Sequence, residues 1–112
     1  MTPPIFDLTG RVALVTGAGR GMGLGIARTL ARLGAHVAVN DYFAERAEAA
    51  ARQLADEGLQ AIAAPGDITH ADVRERIVTR VRETCGDIDL LINNAGVPPG
   101  METNLRKFKD LA

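Results

Sequence analysis

Glycine stands at every second position from Gly17 to Gly25, directly after the apolar run Val12-Ala13-Leu14-Val15. No other feature of the sequence constrains the fold as tightly. Val12 to Val15 shows no alternation, which suits a strand covered on both faces, as in a parallel sheet. From Met22 onward, Ile26, Ala27, Leu30, Ala31 and Leu33 recur at helical spacing, and Gly34 stands where a C-cap would. The glycines therefore mark a strand-to-helix junction. Missing side chains there let the backbone approach a diphosphate closely and permit the positive φ angles of a tight turn. The helix that follows directs its free N–H groups and partial positive charge at the same place. The strict GxGxxG pattern is absent, since Met22, Leu24 and Ile26 fill the third-glycine slot of each register. The segment instead fits TGxxxGxG, with Thr16, Gly17, Gly21 and Gly23.

The remaining chain alternates in the same way. His36 to Asp41 reads as a strand, and Ala44 to Glu57 as an alanine-rich helix that stops at Gly58. Gln60 to Ala64 is a short strand before Pro65-Gly66. A third helix, capped by Thr69 or Asp72, carries Val73, Ile77, Val78 and Val81 on one face and ends at Gly86. Ile88 to Ile92 is the fourth strand, followed by a loop with Pro98-Pro99-Gly100, and no strand is expected from Met101 to Ala112. The order β-α-β-α-β-α-β implies right-handed crossovers and a Rossmann-like, doubly wound parallel α/β sheet. There is no repeat at a solenoid period and no low-complexity linker, so residues 1–112 read as part of one domain.

Candidate binding residues fall at the ends of the expected strands. Gly17, Arg20, Gly21, Met22 and Gly23 belong to the glycine loop. Asp41 lies at the end of the second strand, eighteen residues beyond Gly23. In a dinucleotide fold a carboxylate here accepts hydrogen bonds from the adenosine ribose hydroxyls. It also repels the additional phosphate of NADP, so it selects for NAD. Arg20 acts in the opposite sense, because a basic side chain near the loop can pair with a 2′-phosphate. Asp41 carries more weight, since an unneutralised carboxylate beside that phosphate costs more than a mobile surface arginine recovers. After the third strand, Asp67 and the backbone N–H of Ile68 are placed to read an adenine edge. After the fourth, Asn93-Asn94-Ala95-Gly96 supplies small residues that permit close approach to a ribose.

Composition narrows the partners. Apolar residues make up 46%, charged residues 24%, and the formal net charge is -1. That is enough apolar material for a core, and the balanced charge offers no field for nucleic acid or an anionic membrane. Arg74, Arg76, Arg80 and Arg82 read as a solvated helix face. Cys85, without a second thiol, reads as a small apolar residue near a helix end. The start of the chain, Met1-Thr2-Pro3-Pro4-Ile5-Phe6-Asp7, lacks the basic and apolar regions of a signal peptide. The apolar runs are too short to span a bilayer, so the cytoplasm is the expected compartment. No metal site is expected.

Taken together, these residues resemble the short-chain dehydrogenase/reductase family. The resemblance begins at Phe6-Asp7-Leu8-Thr9-Gly10-Arg11-Val12-Ala13-Leu14-Val15-Thr16-Gly17. It continues through the glycine motif, Asp41, Asp67-Ile68 and Asn93-Asn94-Ala95-Gly96, covering nearly the whole chain. It implies a Rossmann-like domain, of which this is the N-terminal, NAD(P)-binding portion, and hydride transfer between NAD(H) or NADP(H) and a small-molecule alcohol or carbonyl.

The resemblance also implies a gap. The family's catalytic Ser, Tyr-x-x-x-Lys pair and further Asn all lie downstream of the Asn-Asn-Ala-Gly motif. The tyrosine serves as acid/base, and the lysine holds the nicotinamide ribose and lowers the tyrosine's pKa. Tyr42 lies in the wrong part of the fold and is followed by Arg46 rather than lysine. Asn104 is too close to Asn94, and Lys107 and Lys109 have no tyrosine before them. No catalytic residue is carried over, and the chain alone is expected to be inactive, with homo-oligomers expected only of the complete enzyme. Two other readings stay open: a non-catalytic dinucleotide-binding module or sensor, and a methyltransferase. The threonine-led glycine motif and Asn-Asn-Ala-Gly weigh against the methyltransferase.

Overall fold

The computed structural model describes residues 7–94. It contains four strands and three helices in strict alternation: β1 (Val12–Val15), α1 (Gly21–Arg32), β2 (His36–Val39), α2 (Ala44–Asp56), β3 (Ala61–Ala63), α3 (Ala71–Cys85) and β4 (Leu90–Ile92). The strands form one parallel sheet in the order β3-β2-β1-β4. Fold class and element order match the expectation from sequence.

Parallel pairing explains the absence of alternation in β1. All four of its residues are buried, because helices cover both faces of the sheet. Successive side chains point to opposite faces. Ala13, Val15, Val37 and Val39 therefore meet α1 and α2 through Ala27, Ala31, Ala50 and Leu54. Val12, Leu14 and Ala38 face the other way, toward Ile77 and Val81 of α3. The helix positions against the first face are mostly alanines, which let α1 and α2 lie close to the strands. Each fully buried Val or Leu, such as Val15, Val37, Val39 and Leu54, contributes on the order of 1.5–3 kcal/mol of burial.

The local differences from expectation have physical causes. β2 stops at Val39 rather than Asp41, and β3 and β4 are shorter at their starts or ends than expected. The residues just past β2 turn their backbone groups to the loops: Asn40 O accepts from Ala18 N, and Asp41 O from Gly66 N. The N-cap of α3 is His70, with no side-chain cap, instead of Thr69 or Asp72. Thr69 is already committed, its hydroxyl and N–H both donating to Asp67 Oδ1 in a local turn. Asp72 lies within the first turn of α3, where its charge complements the helix dipole.

The arginines of α3 are not all solvated either. Arg74 donates to Ile68 O at 2.9 Å and Arg80 to Ala63 O at 3.1 Å. Both tie α3 to the chain near the end of β3, while Arg82 pairs with Asp87 at 3.4 Å. Leu90, Leu91 and Ile92 of β4 are half-buried. Among the described residues no helix is long and apolar enough to cross a membrane.

Candidate functional site

A parallel sheet gathers the C-terminal ends of its strands at one edge. Here that edge holds Thr16, Asn40-Asp41, Ala64 and Asn93-Asn94. The connection from β1 runs out to β2 and β3, and the chain then returns past β1 to place β4 on its other side. Connections leaving β1 and entering β4 diverge to opposite faces, which opens a crevice outside the strand ends at this switch point.

The glycine loop occupies that crevice. Gly17 and Gly21 have φ of +61° and +59°, the left-handed region where a side chain is strained. Gly23 is needed for a different reason. A Cβ there would stand 2.2 Å from Gly17 O and 2.6 Å from Asn94 Nδ2. Its absence lets α1 start directly against the loop. Arg20 is the N-cap residue, extended and exposed, and no side chain caps the helix. No acidic residue lies in the first turn of α1. The first-turn N–H groups are thus left to an anion or to water. Met22 projects from this turn and is 76% exposed.

Thr16 and Asn94 brace the loop against β4. The Thr16 hydroxyl accepts from Asn94 N at 3.0 Å and donates to Ile92 O at 3.3 Å. Asn94 Nδ2 donates to Gly17 O at 3.2 Å. These bonds cross more than seventy residues of sequence and close one side of the crevice. Ala95 and Gly96, expected to lie beside them, are outside the described residues.

Asp41 closes the opposite side. Only 6% exposed, its carboxylate accepts from Gly19 N at 3.1 Å and from Phe43 N at 3.0 Å. Glycine at position 19 is what admits this contact, since a Cβ there would stand 2.5 Å from Asp41 Oδ2. Tyr42 and Phe43 follow on the surface in an edge-to-face pair, centroids 5.0 Å apart, with the Arg46 guanidinium 4.5 Å over the Phe43 ring. Tyr42 is 65% exposed and takes no part in the crevice wall.

Asp67 and Ile68 stand farther along the same edge, after β3. Asp67 Oδ1 is engaged by Thr69, and Oδ2 lies 3.4 Å from His70 Nε2. Burial pushes the carboxyl up, but the Thr69 bonds and the neighbouring His70 outweigh it and hold the group below its ordinary value. The Ile68 side chain is buried against α3. Asn40, 1% exposed, links this loop to β2 by donating to Ala64 O at 2.9 Å and Gly66 O at 3.2 Å.

The structure thus brings Gly17, Gly21, Gly23, Asp41 and Asn94 to one crevice, with Arg20 and Met22 on its rim and Asp67-Ile68 on the same edge. Sequence reasoning gives no separate role to Gly19, one of the five alternating glycines, and passes over Asn40. The signal for Asn40 was present: it is a polar residue closing an apolar strand, where only a specific partner justifies burial. Cys85 is half-buried, and burial pushes its thiol up, away from reactivity. Among the described residues no group of three or more His, Cys, Asp and Glu is placed to hold a metal ion.

Comparison with known proteins places this geometry. Residues 11–112 match the family described as short chain dehydrogenase. The chain belongs to that family. It is 42% identical over 93 residues to 5-keto-D-gluconate 5-reductase of Escherichia coli strain K12, covering 83% of this chain and 37% of that protein. It is 45% identical over 95 residues to gluconate 5-dehydrogenase of Gluconobacter oxydans, covering 85% of this chain and 37% of the relative. Among solved structures, a gluconate 5-dehydrogenase from Burkholderia cenocepacia in complex with NADP and tartrate superposes with a TM-score of 0.75 at 42% identity. That match covers 82% of this chain and 36% of the other. The chain therefore spans well under half the length of these short-chain dehydrogenases.

Proposed function

We propose that the described crevice is the dinucleotide-binding part of an NAD(P)-dependent oxidoreductase that interconverts a small-molecule alcohol and carbonyl. Residues 1–112 would form the N-terminal portion of its single cofactor-binding domain. The observation that carries this reading is the pairing of Asp41, at the end of β2, with the glycine loop that leaves β1 beside the switch point of the sheet. The cradle fits the group: Gly21, at the start of α1, has open space where a Cβ would stand, and the α1 N-terminus has no side-chain cap. Gly17, Arg20, Gly21, Met22 and Gly23 would surround the diphosphate. Asp41 would accept from the adenosine ribose, Asp67 and Ile68 N–H would meet the adenine edge, and Asn94, Ala95 and Gly96 would flank the second ribose. When bound, the nicotinamide supplies or accepts the hydride. The described residues bind and orient it, and we assign them no catalytic acid or base.

We place NAD before NADP. A carboxylate held by two backbone N–H groups is fixed and does not swing aside for a 2′-phosphate. Against this stand the exposed Arg20 and the neighbours whose structures hold NADP or, in the L-sorbose reductase of Gluconobacter frateurii, NADPH. Homo-oligomeric assembly of the complete enzyme, implied by the family resemblance, and the cytoplasmic location expected from the sequence belong to the same proposal. The test is calorimetric titration of the whole protein with NAD and NADP, followed by nicotinamide absorbance with alcohol and carbonyl substrates. Tighter NADP binding would overturn the role given to Asp41. Binding of neither nucleotide would overturn the function.

A further inference from the structure

We infer that Asn40 is a positioning residue for the adenine end of the proposed cofactor site. The inference rests on the dinucleotide reading above but assigns a role to a residue that reading does not use. Asn40 is the first residue past β2, and it is 1% exposed. Its amide nitrogen donates to two carbonyls of the β3–α3 connection, Ala64 O at 2.9 Å and Gly66 O at 3.2 Å. Two backbone bonds run beside these: Ala64 N donates to Val39 O at 2.8 Å, and Gly66 N to Asp41 O at 3.1 Å.

Four hydrogen bonds therefore hang one short segment from the end of β2. That segment leads directly into Asp67 and Ile68. Beyond it the chain is fixed again by Arg74, which donates to Ile68 O. The same Asn40 backbone carbonyl accepts from Ala18 N in the glycine loop. A single residue thus connects the diphosphate wall to the adenine wall, its backbone holding one and its side chain the other.

A side chain buried at this point needs two donor hydrogens in one plane aimed at two carbonyls, and a primary amide supplies them. Aspartate has the same shape but presents acceptors to acceptors. Alanine leaves both carbonyls without their side-chain partner. In either case the segment keeps only its two backbone bonds to β2 and is loosened, while β2, which pairs through its backbone, keeps its register.

The experiment is calorimetric titration of the whole protein with AMP and with nicotinamide mononucleotide, the two halves of the cofactor. Asn40→Ala is expected to weaken AMP about tenfold, through the loss of one buried and one part-buried hydrogen bond, and to leave nicotinamide mononucleotide unchanged. Asn40→Asp should weaken AMP at least as much at neutral pH. Relative to the unaltered protein it should regain affinity in acid, where the carboxyl takes a proton and donates again. Asn40→Ser, polar but too short to reach either carbonyl, should weaken AMP as Asn40→Ala does and guards against a variant that fails to fold. Unchanged AMP affinity in a folded Asn40→Ala variant overturns the inference, as does equal weakening of both halves, the mark of general loosening. If the unaltered protein binds neither AMP nor NAD, the proposed function falls first and takes this role with it.

Discussion

Gly23→Ala is the smallest change that tests the proposed cradle, and its effect follows from three distances. The added methyl would lie 2.2 Å from Gly17 O, 2.6 Å from Asn94 Nδ2 and 2.9 Å from Ala18 Cα. Two of these obstacles are backbone, and the third is a side chain already bonded to Gly17 O. None moves without disturbing the loop. The shortfall from ordinary contact at Gly17 O is roughly 1 Å, so α1 must retreat from β1 or the loop must lift, at about 1–3 kcal/mol. A displacement of that size draws the helix N-terminus away from a bound diphosphate, and each hydrogen bond lost to a charged group costs about 1.5–3 kcal/mol, about tenfold or more in affinity. Gly25→Ala is the matched control. It lies one turn into the same helix with nothing within 4 Å of its would-be Cβ. There the alanine is expected to stabilise the helix by up to about 1 kcal/mol. The assay is thermal unfolding by circular dichroism together with calorimetric titration of the dinucleotide. The reasoning is refuted if Gly23→Ala binds like the unaltered protein, or if Gly25→Ala loses affinity to the same degree.

Three further outcomes are expected. Gly17→Val or Gly21→Val should abolish dinucleotide binding with the sheet still formed, because a β-branched residue resists φ near +60° at these positions; retained affinity measured by calorimetry in either would remove the loop from the site. Asp41→Ser should shift the ratio of NAD to NADP affinity toward NADP and also lower the melting temperature, since the two backbone N–H groups it now satisfies lose a buried acceptor worth about 1–3 kcal/mol. Asp67→Asn should flatten the acid dependence of stability. The folded-state pKa of Asp67 is lowered, so its contribution is present above the unfolded value of 3.8 and is lost as pH falls through the folded value. Urea melts across that acid range should show the unaltered protein and the variant converging at low pH; a constant gap would show that the Thr69 and His70 contacts do not set the shift.

The repeating frame was legible because its signals are local. The apolar run at Val12 to Val15, the helical recurrence from Ile26 to Leu33 and the glycines after each helix all act within a few residues. Strand ends were less legible, since where β2 stops depends on what lies beside it. Asn40 keeps its N–H on Val15 O of β1, but its carbonyl and that of Asp41 are taken by the β1–α1 and β3–α3 loops, and no pattern within β2 reports that. The α3 arginines show the same limit: periodicity places Arg74 and Arg80 on a polar face. It does not reveal that carbonyls near the end of β3 lie within their reach.

The site was legible one residue at a time, and its connections were not. Asp41 stands out by its distance from Gly23, and that spacing suggests a carboxylate facing a ribose. The structure shows it already bonded to Gly19 and Phe43, so it is part of the wall before any ligand arrives. This changes what an Asp41 substitution measures. A variant there alters the loop as well as the charge, and a change in NAD affinity alone does not separate the two. The comparison between NAD and NADP does, because loop distortion weakens both nucleotides while loss of the charge favours only the one with the additional phosphate. The same logic applies to Thr16 and Asn94, which hold the loop from the β4 side. In a crevice built from backbone and a few buried polar side chains, the residues proposed to recognise the ligand are also those that shape the crevice. Ratios between related ligands, rather than single affinities, are the measurements that distinguish the two roles.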